Sequence, residues 1–453
     1  MSAASSLLMS AATTLPSPSL PSSPSSSQPS SSPRPIPLSS LVNRGRLPDD
    51  VVEACRENGV DCDLQLRHKQ PEVLIERIKN IDVQREINKV REKEYWPDYD
   101  HFIDQFPCLN DLEPHHRSKA ASLLYSFRHT FFNPDYPEQF RPGIRMTPVK
   151  IDRVAGMTPR KEKIRQINKK KETHLRNHIS SLLSRGVIVE TESVVDCYAS
   201  NVHIVIESRY VASKKAVVEK SRATADCREI NKCLPDSSFT LPNMEQFRRE
   251  CTADGAKVFS NFDAVEMYHQ IMINEESAAK NFNIHALGKI YTFLRGLQGV
   301  KLLPSICANL TTVVFESVDH THPFLDDFTV RSADVDTHLD EHLPQTLALC
   351  SFYRILLSPK KTDLLRPSAR VLGHQIAEES LSICDEKKKK ILELSPPRDA
   401  KDLKSKLAFF QYFYQVAPRL NAILAPFRHF AKKGSHFKLT DKLLKAWDPD
   451  AIE

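Results

Sequence analysis

Glycine is scarce in this chain, 11 of 453 residues, where ordinary usage would give about 30. Glycines that turns normally need are therefore expected to be missing at some places. No apolar run reaches the roughly 18 residues of a membrane-spanning helix, so no membrane is expected among the partners. None of the ten cysteines forms a Cys-x-x-Cys pair. The closest pairs, Cys55/Cys62 and Cys227/Cys233, lie too far apart for usual zinc spacing, and free thiols in a reducing compartment are expected. The N-terminus has neither a basic start nor an apolar core beyond Leu7, Leu8 and Met9. That argues against secretion and for the cytoplasm, the nucleus or both. Neither sign of charge dominates: 63 Lys and Arg face 57 Asp and Glu, for a net charge of +6, which permits a polyanionic partner without demanding one.

What is present is the make-up of a globular protein, 40% hydrophobic and 26% charged. This excludes collagen, a wholly disordered chain and a disulfide-stapled miniprotein. The length allows two to three domains. The first 40 residues hold 16 Ser and 8 Pro, too little apolar surface to offset the entropy of ordering, so 1–45 reads as a disordered tail. Residues 46–140 read as mostly helical, of unknown role, with Val73, Leu74, Ile75, Ile78 and Ile81 near a helical period. A basic run at 160–176 carries eight Lys or Arg against two Glu. It continues as an amphipathic helix through Leu175, Ile179, Leu182 and Leu183 and stops at Gly186. From 187 to 380 short β-branched runs alternate with helical stretches near 242–251, 303–318 and 335–353. That texture predicts an α+β domain with antiparallel pairing. Residues 385–430 read as helical again.

The chemistry-bearing candidates are carboxylates. Asp-Asp occurs at 49–50 and at 326–327. Asp49-Asp50 opens a helix-like stretch, where carboxylates serve structure. Asp326-Asp327 interrupts the apolar strand Pro-Phe-Leu-Asp-Asp-Phe-Thr-Val. Adjacent carboxylates there repel and are desolvated, which protonation or a divalent cation would relieve. Both can reach one site only at a hairpin turn, because strand neighbours point to opposite faces. Asp263, ending the strand Phe-Ser-Asn-Phe-Asp, supplies a third acid. His338 and His342 are four apart, but nothing like HExxH accompanies them, so they read as surface histidines.

Phe-Ser-Asn-Phe-Asp263 with Tyr268-His-Gln-Ile, and Phe324-Leu-Asp326-Asp327 63 residues later, resemble the two catalytic motifs of reverse transcriptases, most closely those of gypsy-like LTR retrotransposons and retroviruses. Further segments fall in the family's order. Arg222-Ala-Thr-Ala-Asp226-Cys-Arg228-Glu-Ile-Asn231 resembles the fingers motif. Leu-Gln298-Gly299-Val-Lys301-Leu-Leu-Pro304 resembles the retroviral Gln-Gly-x-Lys-x-x-Pro. Leu-Ser-Pro-Lys360-Lys361 and Val-Leu372-Gly373-His374 follow, the second resembling the primer grip. Ser395-Pro-Pro-Arg, Phe410-Gln-Tyr-Phe-Tyr414, Ala425-Pro-Phe and Lys433-Gly-Ser-His resemble the thumb, the connection and the link toward RNase H. The likeness runs over about 140–450. It departs at Phe324 for the first Tyr of Tyr-x-Asp-Asp, at Met267 for Gly, at Cys227 for an aromatic and at Pro304-Ser-Ile-Cys-Ala for Pro-Ala-x-Phe-Gln. Bulk at Met267 is expected to crowd the nucleotide pocket.

The resemblance implies reverse-transcriptase fingers and palm over 141–380 and a helical thumb and connection over 381–453, truncated before RNase H. It implies an RNA-directed DNA polymerase, a nucleotidyltransferase that takes an RNA or DNA template with primer and dNTPs. Its metal and catalytic residues would be Asp263 and Asp326, bridging two Mg²⁺ (or Mn²⁺), with Asp327 assisting. Arg222 and, less firmly placed, Lys215 would contact the triphosphate. Tyr268 would gate the sugar, Gln298 would place nucleotide and template, and Leu372, Gly373 and His374 would hold the primer end. Two other readings stand beside this one: an inactive remnant that only binds nucleic acid, and an interaction scaffold using the N-terminal region.

Overall fold

The computed structural model describes residues 94–160, 162–191, 197–211, 216–237, 244–371, 373–377, 380–411, 424–428 and 430. The Ser/Pro-rich tail, Asp49-Asp50, the periodic stretch at 73–81, Lys215, Leu372, Tyr414 and the segment from Lys433 on lie outside the described residues.

Helix α1, Pro114–Ser126, belongs to a helical segment that begins near Trp96. That segment is built on aromatic edges: Phe102 meets Phe106 at 4.9 Å, Phe106 meets Phe131 at 5.0 Å, and the Trp96 indole donates to the Phe131 carbonyl at 2.8 Å. These side chains share one core with Phe262, Phe328, Val330, Leu347 and Leu357, which come from far later in the chain. Residues 94–140 are thus packed against the strands that carry the acidic residues.

Helix α2, Lys169–Ser184, starts where the Asn168 side chain accepts from the Lys171 amide at 2.9 Å. It buries Leu175, Ile179 and Leu182, one apolar stripe at helical spacing. Gly186 ends it with a left-handed φ of +68°, the usual stop. Leu183 faces outward, 39% exposed.

Two main sheets follow. The first has the order β1-β6-β5-β2-β3, from β1 (Ile188–Thr191), β2 (Ala199–Val211), β3 (Ala216–Ala225), β5 (Asn283–Ala286) and β6 (Lys289–Phe293). Its β2/β5 pair is parallel and the others antiparallel. The second has the order β7-β8-β4-β9, from β4 (Val258–Asp263), β7 (Thr321–Phe324), β8 (Asp327–Ser332) and β9 (Asp363–Arg366), all antiparallel. Helices α3 (Leu303–Phe315) and α4 (Leu343–Tyr353) pack on it, and a π turn, His338–His342, leads into α4. A small third sheet joins β10 (Ala369–Val371), β11 (His374–Ala377) and β12 (Ser380–Ile383). Helices α5 (Asp385–Leu392) and α6 (Ala400–Gln411) form a separate core with Leu424 and Phe427.

One sequence expectation is overturned here. His338 is fully buried, not on the surface. Its ring bridges the hydroxyls of Ser260 (2.7 Å) and Ser332 (2.6 Å), and Ser332 also meets His342 at 2.7 Å. Two serines on neighbouring strands satisfy the imidazole, so no metal is needed to hold it there.

Candidate active site

Asp263 closes β4 and Asp327 opens β8, and the two are partners in register. Residues directly opposite on antiparallel strands project from the same face. Phe324 pairs with Asp327, leaving Leu325 and Asp326 as a two-residue hairpin loop. The turn that would let all three acids meet is therefore present. Leu325 occupies its first central position at φ +59°, where glycine is usual and a branched side chain costs about 1–2 kcal/mol. Leu325 holds that position because it packs against two apolar clusters. The Asp326 carbonyl accepts from Ala264, and the Asp263 carbonyl from Ser358, both at 2.8 Å.

The Lys361 ammonium grips the Asp263 carboxylate, 2.7 Å from Oδ1 and 2.9 Å from Oδ2. Burial pushes the Asp263 carboxyl above its usual range, Lys361 draws it back, and the charge on Asp326 adds to the rise. Among the described residues no cation pairs directly with Asp327, and Lys361 draws it down only weakly. Burial, then Asp326 and Asp263, push it up to about 7. An unfolded Asp titrates near 3.9, so the folded state holds the extra proton between these values and loses stability as pH rises through that window. Asp327→Asn is therefore expected to stabilise the protein against urea by up to about 4 kcal/mol at pH 7.5, with the gain gone near pH 4. Equal destabilisation at both pH values would contradict this.

Tyr268 is half-buried beside these acids. Burial, then Cys307 and Asp326, push its phenol up to about 12. The buried Gln270 side chain fixes the turn that carries it, donating to Val265 O (2.7 Å) and Leu356 O (2.9 Å) and accepting from Leu356 N (2.7 Å). Its part was not read from the sequence, although it stands in the motif.

On the first sheet, Arg222 lies exposed on β3 opposite Val205. Nearby, Asp226 is held by Arg228 (2.6 and 2.7 Å) and Arg165 (2.7 Å), Arg228 foremost in keeping its carboxyl well below the usual range. The exposed Gln298 sits on a loop seated against this segment. Asn231 donates to Gly299 O at 2.8 Å and accepts from Lys301 N at 2.9 Å. Gly299 has φ +106°, and a Cβ there would approach Cys227 Sγ to 3.3 Å. Gly373 precedes β11 at φ +83°, with Lys387 carbons 3.2 Å from where a Cβ would sit. His374 is buried in β11. Asn261 on β4 donates to Arg370 O at 2.5 Å, tying this small sheet to the acid-bearing one.

Residues 213–376 match the family model described as "Reverse transcriptase (RNA-dependent DNA polymerase)". The chain carries a reverse transcriptase domain. Polyproteins of the transposons Tf2-7 and Tf2-3 of Schizosaccharomyces pombe are each 19% identical over 268 residues, 59% of this chain. The chain spans about a fifth (19%) of those relatives' length. Among solved structures, a foamy viral protease-reverse transcriptase in complex with double-stranded DNA aligns with a TM-score of 0.64, at 19% identity, over 81% of this chain and 62% of that one. The same viral protein with an RNA/DNA hybrid aligns at 0.62, with 18% identity, over 81% of this chain and 48% of that one. These likenesses establish the fold.

Within the reverse transcriptase domain, two departures from the family pattern prove to be packing. Met267 is 3% exposed and belongs to the main core, against which Tyr268 also packs. Phe324 meets Phe247 edge-on at 5.5 Å in an apolar cluster with Val371 and Ile376. A hydroxyl would have no role in that packing. The family generally uses divalent metal ions, and the donors fit one chemically, since hard carboxylate oxygens suit Mg²⁺. Among the described residues no three such groups converge closely enough to hold an ion as they stand. The Lys361 ammonium on Asp263 marks where positive charge is wanted.

Proposed function

We propose that this chain is the polymerase segment of a retroelement polyprotein, an RNA-directed DNA polymerase that extends a primer 3′-hydroxyl with dNTPs. The observation that carries the reading is the register pair Asp263/Asp327 with Asp326 in the intervening turn. Asp263 and Asp326 would hold two Mg²⁺, with Asp327 assisting. When bound, such ions offset charge on the attacking and leaving oxygens of an in-line phosphoryl transfer. The chain's own residues bind and orient. Arg222 presents a guanidinium fork to the triphosphate, Tyr268 stands where a 2′-hydroxyl would clash, and Gln298 lies over the Asn231-anchored loop to place nucleotide and template. Gly373 and His374 place the primer end. Lys169, Lys170 and other cations of the 160–176 run give a template–primer duplex sequence-tolerant phosphate contacts.

Packing explains two of the departures that favoured an inactive remnant, which supports the active reading. Arg222→Ala is expected to raise the KM for dNTP about tenfold with template–primer affinity changed less than about twofold, because a bidentate phosphate contact is worth one to two kcal/mol. An unchanged KM would remove Arg222 from the site. A wild-type chain that binds template–primer and never incorporates dNTP would overturn the proposed function.

A further inference from the structure

Glu266 lies between Asp263 and Tyr268 and has φ +43°. A bulky residue in the left-handed region persists only where its surroundings fix it. Its carboxylate Oε2 accepts from Arg185 Nη1 at 2.8 Å and meets His269 Nδ1 at 2.6 Å. Arg185 comes from the C-terminal end of α2, far away in sequence. Its side chain is only 8% exposed, its Nε donates to Ser181 O at 3.2 Å, and its guanidinium lies 5.1 Å from the centre of the Phe140 ring. Burial acts to raise the Glu266 carboxyl, yet His269 and Arg185 hold it down at about 2. Beside the pair is a cavity of about 480 Å³ lined in part by Pro137, Ser181 and Ser184. Sterics alone leave that carboxylate room to swing, so the ion pairs set its direction.

The turn Met267–Gln270 begins at Glu266 and carries Tyr268. Tyr268 O lies so near Gly296 that a Cβ there would come within 2.6 Å of it. A change of φ at Glu266 would lift the turn off that seat. From the strained residue and its two partners we infer that Glu266, locked by Arg185 and His269, is a positioning residue for Tyr268 and thereby sets how strictly the site rejects a ribonucleotide. The inference rests on the polymerase reading, because Tyr268 is the sugar gate only there. The Glu266 carboxylate is engaged by Arg185 and His269. Its effect passes through the backbone, so it acts on selection among sugars more than on the rate with the correct one.

The test compares wild type with Glu266→Gln, Arg185→Met and the conservative Arg185→Lys. Each variant's melting temperature confirms folding, and kcat/KM is measured for dNTP and for the matching rNTP. The expected result is a fall in dNTP-over-rNTP preference of about tenfold in Glu266→Gln and Arg185→Met, with a smaller fall in kcat for dNTP and most of the preference kept in Arg185→Lys. Folded variants that keep wild-type preference would overturn the inference. Hydrogen exchange of the His269 and Ile271 amides, which close the turn, provides a readout independent of activity. Tenfold faster exchange in Glu266→Gln is expected, and unchanged exchange would overturn the positioning role even in a chain with no polymerase activity. A wild type inactive on both nucleotides, with exchange accelerated in the variant, would sink the polymerase reading and the sugar selectivity while keeping the lock.

Discussion

Asp263→Asn is expected to lose nucleotide incorporation by about a thousandfold or more while the protein stays folded. Asp263 ends the central strand β4, flanked by β8 and β9, and its backbone contacts survive the exchange of an oxygen for an amide. What disappears is one negative charge on the face it shares with Asp327. A metal-assisted phosphoryl transfer draws several kcal/mol from such carboxylates, and each 1.4 kcal/mol is about tenfold in rate. Stability should move far less. The Lys361 partner is 65% exposed, and ion pairs of that exposure contribute under about 1 kcal/mol. Single-turnover incorporation, with urea unfolding on the same samples, separates the two effects. An Asp263→Asn protein within tenfold of wild-type incorporation would remove Asp263 from the chemistry.

Gln270→Ala has the largest expected effect on stability, about 3 kcal/mol or more by urea unfolding. The side chain is 1% exposed and makes three hydrogen bonds to the main chain on both sides of the site. Its removal leaves the Val265 carbonyl and the Leu356 amide short of a buried partner, each worth roughly 1–3 kcal/mol unless water enters, while the Leu356 carbonyl keeps the Val265 amide at 2.9 Å. Gln270→Glu fills the space without relief, because a carboxylate facing two carbonyls has no proton to give. Both variants should lose incorporation beyond what their stability explains, since the same turn presents Tyr268. A loss under 1 kcal/mol in Gln270→Ala would mean that the turn is held by other contacts.

The hairpin that pairs Asp263 with Asp327 around Asp326 was legible in the sequence because carboxylates inside apolar strands are costly unless they serve something, and because such a hairpin has a short, definite form. The α+β texture was legible from the β-branched runs, most of which are strands. Strand β7, entering Asp326, was legible only as an unusually polar, proline-broken strand. It lies at the edge of its sheet, where Pro323 costs no ladder bond. Its histidine and the one just before it find tertiary partners: Arg331 Nε donates to His322 Nε2 at 2.9 Å, and His320 stacks on His342 at 4.0 Å. His338 was misplaced on the surface for the same reason, because the serines that satisfy it come from β4 and β8. The burial of Met267 in the main core depends on a turn that begins with a left-handed Glu266, which no periodicity reveals. The roles of Lys361 and Gln270 likewise depend on segments about 90 residues apart in sequence, and only the fold brings those together.

The decisive measurement is dNTP incorporation on poly(rA)/oligo(dT) with Mg²⁺ or Mn²⁺, beside an Asp326→Asn, Asp327→Asn double variant and with template–primer binding measured in parallel. Incorporation by the wild type, lost in the double variant with binding retained, is the result expected of an RNA-directed DNA polymerase whose chemistry lies at the β4/β8 acids. No incorporation by a wild-type protein that binds the template–primer would contradict it and leave a fold that only holds nucleic acid.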